Sequence, residues 1–465
     1  MCFEAFSPDR KETILKKAAL HNLGCKVNAY ETEAMRELLI EDGYEIVPFS
    51  EKADVYVINT CTVTAIADHK SRQMINRAKN LNQDAVIVAA GCYVQTHEEE
   101  AGKLPCDIII GNNRKQDLIK EIHSFLESRE RKSDIEDINT GAVGYEPLRV
   151  KSTEEHTRAF LKIEDGCNQF CSYCLIPFAR GRVRSRNVES VVSEARHFAK
   201  LGYKEVVLTG INLSSYGEGT DLKLIDVIEG INAIDGIKRI RLGSIEPRII
   251  SREFAERAGK LEKLCPHFHL SLQSGCDATL KRMNRKYTAS EFKEGTELLR
   301  EFFPDPALTT DVIVGFPGET DKEFEESLEF YKDINFYEMH VFKFSRREGT
   351  RAFDMPDQVS ERVKTKRSHV LLSLTKENSR KYREKEIGKE LPVLFEEVIE
   401  IDGRPYWTGF TDNYIRAAVE KDAEELFQGQ GKRGLSDMII KGKVKGLLPG
   451  SNLILLDRSS LVNVE

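Results

Sequence analysis

Apolar residues along this chain come in two rhythms. Short, nearly unbroken runs ("AALHNLGC", "DVYVINTC", "AVIVAAGC" and "DIIIGNN") alternate with longer stretches in which apolar residues recur at helical spacing. Unbroken runs suit strands buried on both faces, and the second rhythm suits amphipathic helices. Their alternation to about residue 125 predicts a doubly wound parallel sheet. In the first helix, "NAYETEAMRELLIEDG", Asn28 and Glu31 have the spacing of a capping box, and Gly43 that of a C-terminal stop. Residues 126–154 are polar, charged and weakly periodic, and read as a linker. The rhythm returns with "AFLKI", "EVVLTG", "RIRLGS", "HFHLSLQS", "TTDVIVGF" and "EMHVFKF", six strands with helices between them. These predict an open or partial (β/α)6 barrel. A long basic helix, "SERVKTKRSHVLLSLTKENSRKYREKEIGK", leads to "LPVLFEEVIE", "YWTGFTDNYIRAAVE" and "LILLDRSS", with "LLPG" as a turn, the short strands of a small β-barrel. The expected class is α/β with a small all-β appendage, and the expected boundaries are 14–125, 126–154, 155–383 and 384–456.

A length of 465 residues accommodates two to four such units. No run of eighteen apolar residues occurs, and the opening "MCFEAFSPDRKETILKK" lacks the apolar centre of a signal peptide. A cytoplasmic protein without a membrane span is expected. That compartment changes how the ten cysteines read: at low density and under reducing conditions they favour metal or catalytic roles over disulfides. A net charge of −7 excludes a surface adapted to nucleic acid all round, while leaving room for local basic patches.

Cys25, Cys61 and Cys92 each fall one or two residues past the C-terminal end of an expected parallel strand. Ligand crevices of open α/β sheets form just outside those ends, so three thiols distant in sequence can meet there. Buried structural cysteines have no reason to be placed so regularly. Cys106 begins a strand instead, at the opposite edge, and reads as structural. A second group, Cys167, Cys171 and Cys174, forms C-x3-C-x2-C after "AFLKI". Zinc would want a fourth ligand at short spacing, and none follows; three thiolates on a four-iron cluster leave one iron open to a substrate or cofactor. Cys276 also follows a strand, but both triads are complete without it.

With Tyr173 in its aromatic slot, the second group resembles the C-x3-C-x-aromatic-C signature of radical S-adenosylmethionine enzymes. The wider series "LGCKVNAYE", "VINTCTVT", "DHKSRQ", "AAGCYVQ", "KIEDGCNQFCSYCLIPFARGRVRSR", "LGSIEP", "LQSGCD" and "DVIVGFPGET" resembles, in order, the motifs of the methylthiotransferases. The C-terminal segment is similar to their RNA-binding TRAM domain. This resemblance implies two four-iron–four-sulfur (4Fe–4S) clusters: one on Cys25, Cys61 and Cys92, and one on Cys167, Cys171 and Cys174 that binds S-adenosylmethionine. It also implies cofactor contacts at strand ends: Gly210 for the methionine amino group, Ser244, Glu246, Gln273 and Ser274 for the ribose and head group, and Gly315 for the adenine. Ordinary loop chemistry is the competing reading at each of these. In the implied reaction, S-adenosylmethionine is cleaved reductively and the resulting radical takes hydrogen from an unactivated carbon. Sulfur from the second cluster and a methyl group from another S-adenosylmethionine then complete a C–S–CH3 bond. A low-potential donor such as flavodoxin or ferredoxin would provide the electrons.

Family members modify adenosine 37, in the tRNA anticodon stem-loop, when it carries an isopentenyl or a threonylcarbamoyl group; others modify an aspartate of a ribosomal protein. Here "GCKVNAYE", "TCTVT", "DHKSRQ" and "TDNYIR" resemble the bacterial threonylcarbamoyl branch. Lys26-Val27-Asn28 stands where the isopentenyl branch usually has Gln-Met-Asn. A non-catalytic iron–sulfur RNA-binding protein would account for the triads and basic segments, but not for the cofactor motifs. Arg180, Arg182, Arg184 and Arg186 alternate after the cluster loop, and the segment 362–389 adds Lys364, Lys366, Arg367, Arg380, Lys381 and Arg383. Beside Tyr406, Trp407, Phe410 and Tyr414, some of which must be core, these read as phosphate contacts and base-stacking surfaces. Removing residues from 384 onward is accordingly expected to weaken tRNA binding while sparing S-adenosylmethionine cleavage.

Overall fold

The computed structural model describes residues 16–139, 143–151, 157–427 and 434–464; most of the opening stretch, with the expected boundary at 14, lies outside the described residues. Strands β1 (Lys17–Asn22), β2 (Glu45–Ile46), β3 (Val55–Thr60), β4 (Val86–Gly91), β5 (Ile108–Ile110) and β6 (Lys132–Asp134) form one parallel sheet in the order β2-β1-β3-β4-β5-β6. Alternate residues of β3 serve opposite faces. Val55 and Val57 pack with Met35, Leu39 and Ile122 of the helices Lys26–Glu41 and Leu118–Ser128, whereas Tyr56 and Ile58 pack with Ile75 and Ala78 of Ala65–Leu81. Burial on both faces is why the strands read as unbroken apolar runs.

Two local expectations fail. The segment 126–154 is no free linker: β6 extends the sheet, and Ile138, Glu146, Leu148 and Val150 are buried. Tyr30 Oη donates to the Leu148 carbonyl (2.9 Å) and Tyr145 Oη to that of Lys162 (2.9 Å), so the segment straps the first unit to the second. Its buried residues occur singly among polar ones, which leaves no periodicity to detect. Asn28 and Glu31 do not cap the first helix either. Its N-cap is Cys25, and both residues are buried inside the helix. Gly43 (φ +88°) does stop the helix, just after the C-cap Asp42.

The second unit contains β7 (Arg158–Lys162), β8 (Glu164–Asp165), β9 (Arg184–Ser185), β10 (Glu205–Thr209), β11 (Arg239–Leu242), β12 (His267–Gln273), β13 (Ala307–Val314) and β14 (Glu338–Lys343). Parallel sheets β11-β10-β7 and β12-β13-β14 are linked by bridges Ile240–Leu264 and Ile245–Leu270, giving a six-stranded partial barrel open between β7 and β14; β8 and β9 make a small hairpin. Ala159, Leu161, Val206, Leu208, Ile240, Phe268 and Leu270 pack outward under the helices. Strand alternation therefore turns Arg158, Lys162, Glu205, Arg241, His267, His269 and Asp311 towards the lumen.

Helix Glu361–Glu384 leads into β15 (Glu390–Ile401), β16 (Arg404–Thr411), β17 (Arg416–Glu420), β18 (Ile439–Leu447), β19 (Ile454–Leu456) and β20 (Val462–Asn463). The order β15-β16-β17-β19-β18 closes on itself through β15–β18 pairing, a small barrel with β20 outside. The stretch "YWTGFTDNYIRAAVE" is two strands, and β18 is hidden in sequence by its lysines and glycines. This barrel docks beneath the N-terminal ends of the larger barrel's strands. Arg158 pairs with Glu396 (2.7 Å) and donates to Tyr414 Oη (3.0 Å), Arg239 donates to the Phe410 and Pro392 carbonyls (2.8 and 2.7 Å), and Arg241 to those of Thr411 and Asp412 (3.1 and 2.9 Å). The base-stacking expectation is thereby corrected: Tyr406 and Trp407 are core, while Phe410 and Tyr414 stack on each other (4.7 Å) against Arg158 and Arg241. Among the described residues no helix is long and apolar enough to cross a membrane.

Candidate active site at the junction of two thiol triads

The first triad gathers where three parallel strands end. Cys61 directly follows β3, Cys92 directly follows β4, and Cys25 lies three residues beyond β1. Gly24 (φ +103°) permits the approach, since a Cβ there would lie 2.7 Å from Cys61 Sγ. Cys25 sits at the N-cap of the helix Lys26–Glu41; burial pushes its thiol up, against the pull of Arg180 and the Asn28 N–H, so the thiolate needs a bound metal centre to be favoured. Asn112 Nδ2 donates to Cys92 Sγ (3.4 Å). Burial, then the proximity of Cys92 and Cys25, pushes the Cys61 thiol up to about 11. A bound metal centre would relieve that mutual repulsion. Cys106, by contrast, lies in the apolar core with Arg131 Nη2 at 3.1 Å from its sulfur.

Cys167, Cys171 and Cys174 occupy the loop between β8 and the helix Ile176–Arg180, all partly exposed. Donors surround their sulfurs: the Gln169 N–H at 3.5 Å from Cys167, the Ile176 N–H at 3.4 Å from Cys174, and Arg285 Nη1 at 3.2 Å from Cys171. Such donors favour the thiolate, which is the ligand form. Without metal, burial and mutual repulsion lift Cys167 and Cys174 to about 12. Nearby, burial holds the Glu164 carboxyl well above its usual range; Oε2 accepts from the Asn212 N–H (2.8 Å), while Oε1 is buried with no partner. An orphaned buried oxygen beside half-exposed thiols marks a pocket that a bound group completes. Among the described residues, the three-ligand group whose atoms close to within 4.8 Å is His269, Asp311 and His340, and neither thiol triad closes so tightly. That spread fits thiolates on a cluster better than thiolates on one zinc ion.

Shared neighbours tie the two triads to one junction between the units. Asn112 Nδ2 bonds both Cys92 Sγ and the Ala179 carbonyl (2.7 Å). Arg347 binds Thr62, next to Cys61, and Asp68 (2.7 Å), while its charge also acts on Cys174. Arg180, wholly buried, donates to Asn28 Oδ1 (2.6 Å), Glu31 (2.8 and 3.0 Å) and Asp165 (3.0 Å). Lys162 and Lys115 complete the set on Glu31, at 2.6 and 3.0 Å. The arginine row is therefore no phosphate track. Arg180, Arg184 and Arg186 are 0, 7 and 5% exposed, drawn inward by Glu31, Asp165 and Glu194, and only Arg182 of the four is exposed. In the basic helix Lys364, Arg367 and Arg383 are buried, Arg380 and Lys381 pair with Glu384 and Glu377, and Lys366 remains exposed.

Burial alone would raise the Glu31 carboxyl, but Arg180, Lys115 and Lys162 outweigh it and hold the group well below its usual range. Its contribution is present at neutral pH and is lost as pH falls through the depressed value. Glu31→Gln leaves buried cations without their counter-charge and is expected to destabilise by about 3–5 kcal/mol. A lower thermal midpoint at pH 7, with the gap to wild type narrowing below pH about 4, is the expected result.

The other expected contacts divide. Glu246 binds Arg285 (2.9 Å) and through it the Cys171 sulfur, and Gln273 (φ +72°) sits at the irregularity that ends β12. Ser244 is exposed beyond β11, and Tyr173 packs edge-on to Phe316 (6.2 Å). A Cβ at Gly210 would come within 2.6 Å of Glu164 Oε2, so this turn packs directly on Glu164. Ser274, 1% exposed, is turned to Ser327 (3.2 Å) of the helix Asp321–Ile334, and at Gly315 (φ +74°) a Cβ would meet Lys364 Cγ at 2.3 Å. The side chain of Ser274 and the missing one of Gly315 thus serve helix packing. Glu164 lies inside the stretch "KIEDGCNQFCSYC" and Asn112 inside "DIIIGNN", but sequence assigns neither a role there, and Arg285 and Arg347 are lone polar residues outside the motifs.

A parallel partial barrel with three thiols after its first strand, set against a second thiol crevice, defines a radical S-adenosylmethionine enzyme with an auxiliary metal site. Residues 161–331 match the radical SAM superfamily, and 17–111 the uncharacterized protein family UPF0004. The chain is 43% identical to threonylcarbamoyladenosine tRNA methylthiotransferase MtaB of Bacillus subtilis (strain 168), over 88% of this chain and 91% of that one. It is 36% identical to a tRNA-2-methylthio-N(6)-dimethylallyladenosine synthase of Pelotomaculum thermopropionicum, over 82% and 87%. The radical S-adenosylmethionine methyltransferase TsrM of Kitasatospora setae, solved with cobalamin and a 4Fe–4S cluster, shares the fold: TM-score 0.54, 16% identity, 73% of this chain and 77% of that one. The chain belongs to the methylthiotransferase family, on its MtaB branch. As a member it uses S-adenosylmethionine and two 4Fe–4S clusters.

Proposed function

We propose that this protein installs a methylthio group at C2 of N6-threonylcarbamoyladenosine, at position 37 of tRNAs that read codons beginning with A. The observation that carries the reading is that Asn112 and Arg347 tie two thiol triads, from separate units, to one junction. In this reading Cys167, Cys171 and Cys174 hold the cluster that binds S-adenosylmethionine, and Cys25, Cys61 and Cys92 hold the cluster that donates sulfur. When bound, these groups supply a carbon-centred radical that removes hydrogen from the target carbon, together with the sulfur and methyl that replace it. Arg285 and the N–H groups of Gln169 and Ile176 keep the first set of thiols in ligand form. Glu164 Oε1 is free to accept a hydrogen bond from the cofactor. The Arg180–Glu31–Asp165 cluster fixes the spacing of the two sites, and the walls around them keep the radical from water and stray partners.

The chain then comprises a sulfur-donating unit through about residue 134, its strap to 151, a radical barrel to 384 and a TRAM-like barrel beyond. Exposed Arg182 lies over Phe170 (4.6 Å), with exposed Phe178 beside it (5.7 Å from Phe170), suiting phosphate contact and base stacking at the rim. A cytoplasmic location and a low-potential flavodoxin or ferredoxin partner go with this activity. The test is nucleoside mass spectrometry of tRNA from a strain lacking the protein. Loss of 2-methylthio-N6-threonylcarbamoyladenosine, with its unthiolated precursor accumulating, is expected. Loss of the isopentenyl derivative instead would move the chain to the sister branch.

A further inference from the structure

Three adjacent strands of the larger barrel set imidazole, carboxylate and imidazole side by side: His269 on β12, Asp311 on β13 and His340 on β14. Their chain neighbours Leu270, Val312 and Met339 pack in the apolar core under the helices. Strand alternation therefore turns the three polar side chains the other way, into the lumen. His340 Nδ1 lies 3.0 Å from Asp311 Oδ1, and His269 Nε2 lies 3.4 Å from Asp311 Oδ2. One ligand atom from each residue falls within 4.8 Å of the other two. The second nitrogen of His269 is held by Thr309 Oγ1 (3.0 Å), which also meets His267 Nε2 (3.3 Å). Outer support of this kind fixes which nitrogen a metal-bound imidazole presents. Side-chain exposure climbs across the set, from 13% at His269 to 30% at Asp311 and 56% at His340. The group thus opens towards β14, the edge at which the barrel is unclosed.

A set that only tied the strands together would make charge-assisted N–H···O bonds, which are normally about 2.7–2.9 Å long. Both separations here are longer. Donor atoms about 2.1 Å from one ion stand about 3.0–3.4 Å apart, from octahedral to tetrahedral geometry, and that is the range found. The strands need no such tie, since β12, β13 and β14 are already paired through their backbones. Two imidazoles and one carboxylate are a donor set for a divalent first-row transition ion, and three protein ligands leave a position open. We propose that His269, Asp311 and His340 form a third metal site, separate from both thiol triads, which takes a divalent ion such as manganese or zinc. Its open position faces the lumen, where the ion offers a Lewis acid to an oxygen or nitrogen atom of whatever enters by the unclosed edge. The inference involves no cysteine and does not depend on which nucleoside the protein modifies.

Manganese is the probe, because nitrogen and oxygen ligands accept it while thiolates select softer ions. Reconstituted full-length protein, with both clusters loaded, is titrated with Mn2+, and the free ion is followed by electron paramagnetic resonance. The wild type should bind one equivalent, with imidazole nitrogen couplings in the spin-echo spectrum of the bound ion. His340→Gln, at a half-exposed position where the core is untouched, should weaken binding by more than about tenfold. Asp311→Asn should abolish it, with the iron content of both variants, which reports their folding, unchanged. The protein with alanine at Cys25, Cys61 and Cys92 should still take up the manganese. A wild type that binds none, or His340 and Asp311 variants that bind as tightly as the wild type, overturns the proposal. Bound ion without nitrogen coupling, or binding lost with the cysteines, places the manganese elsewhere and overturns it equally. None of these results touches the substrate reading, which the tRNA nucleosides test on their own.

Discussion

Alanine at Cys167, Cys171 and Cys174 together is expected to abolish reductive cleavage of S-adenosylmethionine and to lower bound iron from about eight to about four per chain. The triple change at Cys25, Cys61 and Cys92 should remove the same amount of iron while leaving cleavage in place and ending sulfur transfer. The asymmetry follows from placement. Only the second triad adjoins the orphaned Glu164 oxygen and the Gly210 turn, where a cofactor can be held; the first lies on the other side of Arg180 and Arg347. The contacts that join the units run through Arg180, Arg347 and the Asn112–Ala179 bond rather than through the thiols, so loss of one set of thiols need not dismantle the other. Cys106→Ser should alter neither iron nor activity, because its sulfur sits in the core beside Arg131. Zinc in either site, or methylthio product from the Cys25, Cys61 and Cys92 variant, would defeat the assignment.

Truncation from residue 384 is expected to cost far more than RNA affinity. It strips Glu396, Tyr414 and the carbonyls of Pro392, Phe410, Thr411 and Asp412 from Arg158, Arg239 and Arg241. Arg239 and Arg241 are 5 and 1% exposed in the intact chain, and would be left at the foot of the barrel with only Glu205 between them. Breaking a buried charge pair costs about 3–5 kcal/mol, and a whole domain is stable by about 5–15 kcal/mol. The truncated chain should therefore be recovered mostly as aggregate, with little cleavage activity, contrary to the expectation from sequence that cleavage is spared. Tyr414→Phe, which removes one bond to Arg158, should keep the chain soluble. Soluble truncated protein with full cleavage activity would show that the docking contacts matter less than their burial implies.

Four strands of the first sheet (β1, β3, β4 and β5), the six barrel strands and both cysteine groups were legible because each is written in local pattern: unbroken apolar runs, thiols at strand ends, and C-x3-C-x2-C within one loop; the short edge strands β2 and β6 were not. The strap 135–151 and β18 were not, since their buried residues are isolated among polar ones and satisfy contacts supplied from elsewhere. Serine and glycine after barrel strands proved ambiguous for the same reason: Ser274 faces Ser327 and Gly315 makes room for Lys364, partners 53 and 49 residues away.

Charge marks the limit most clearly. Sequence alone indicated the α/β class and the two groups of thiols, because periodicity and strand-end position are written locally, and the resemblance to the methylthiotransferases implied the chemistry. Only the tertiary structure decided what the cations do. Arg180, Arg184 and Arg186 look like a phosphate track in one dimension, yet Glu31, Asp165 and Glu194 turn them inward as struts of the junction. The physical reason is that a charge is defined by its partners. A buried cation must find a carboxylate or carbonyl, and those partners lie tens to hundreds of residues away, brought close only when the chain folds.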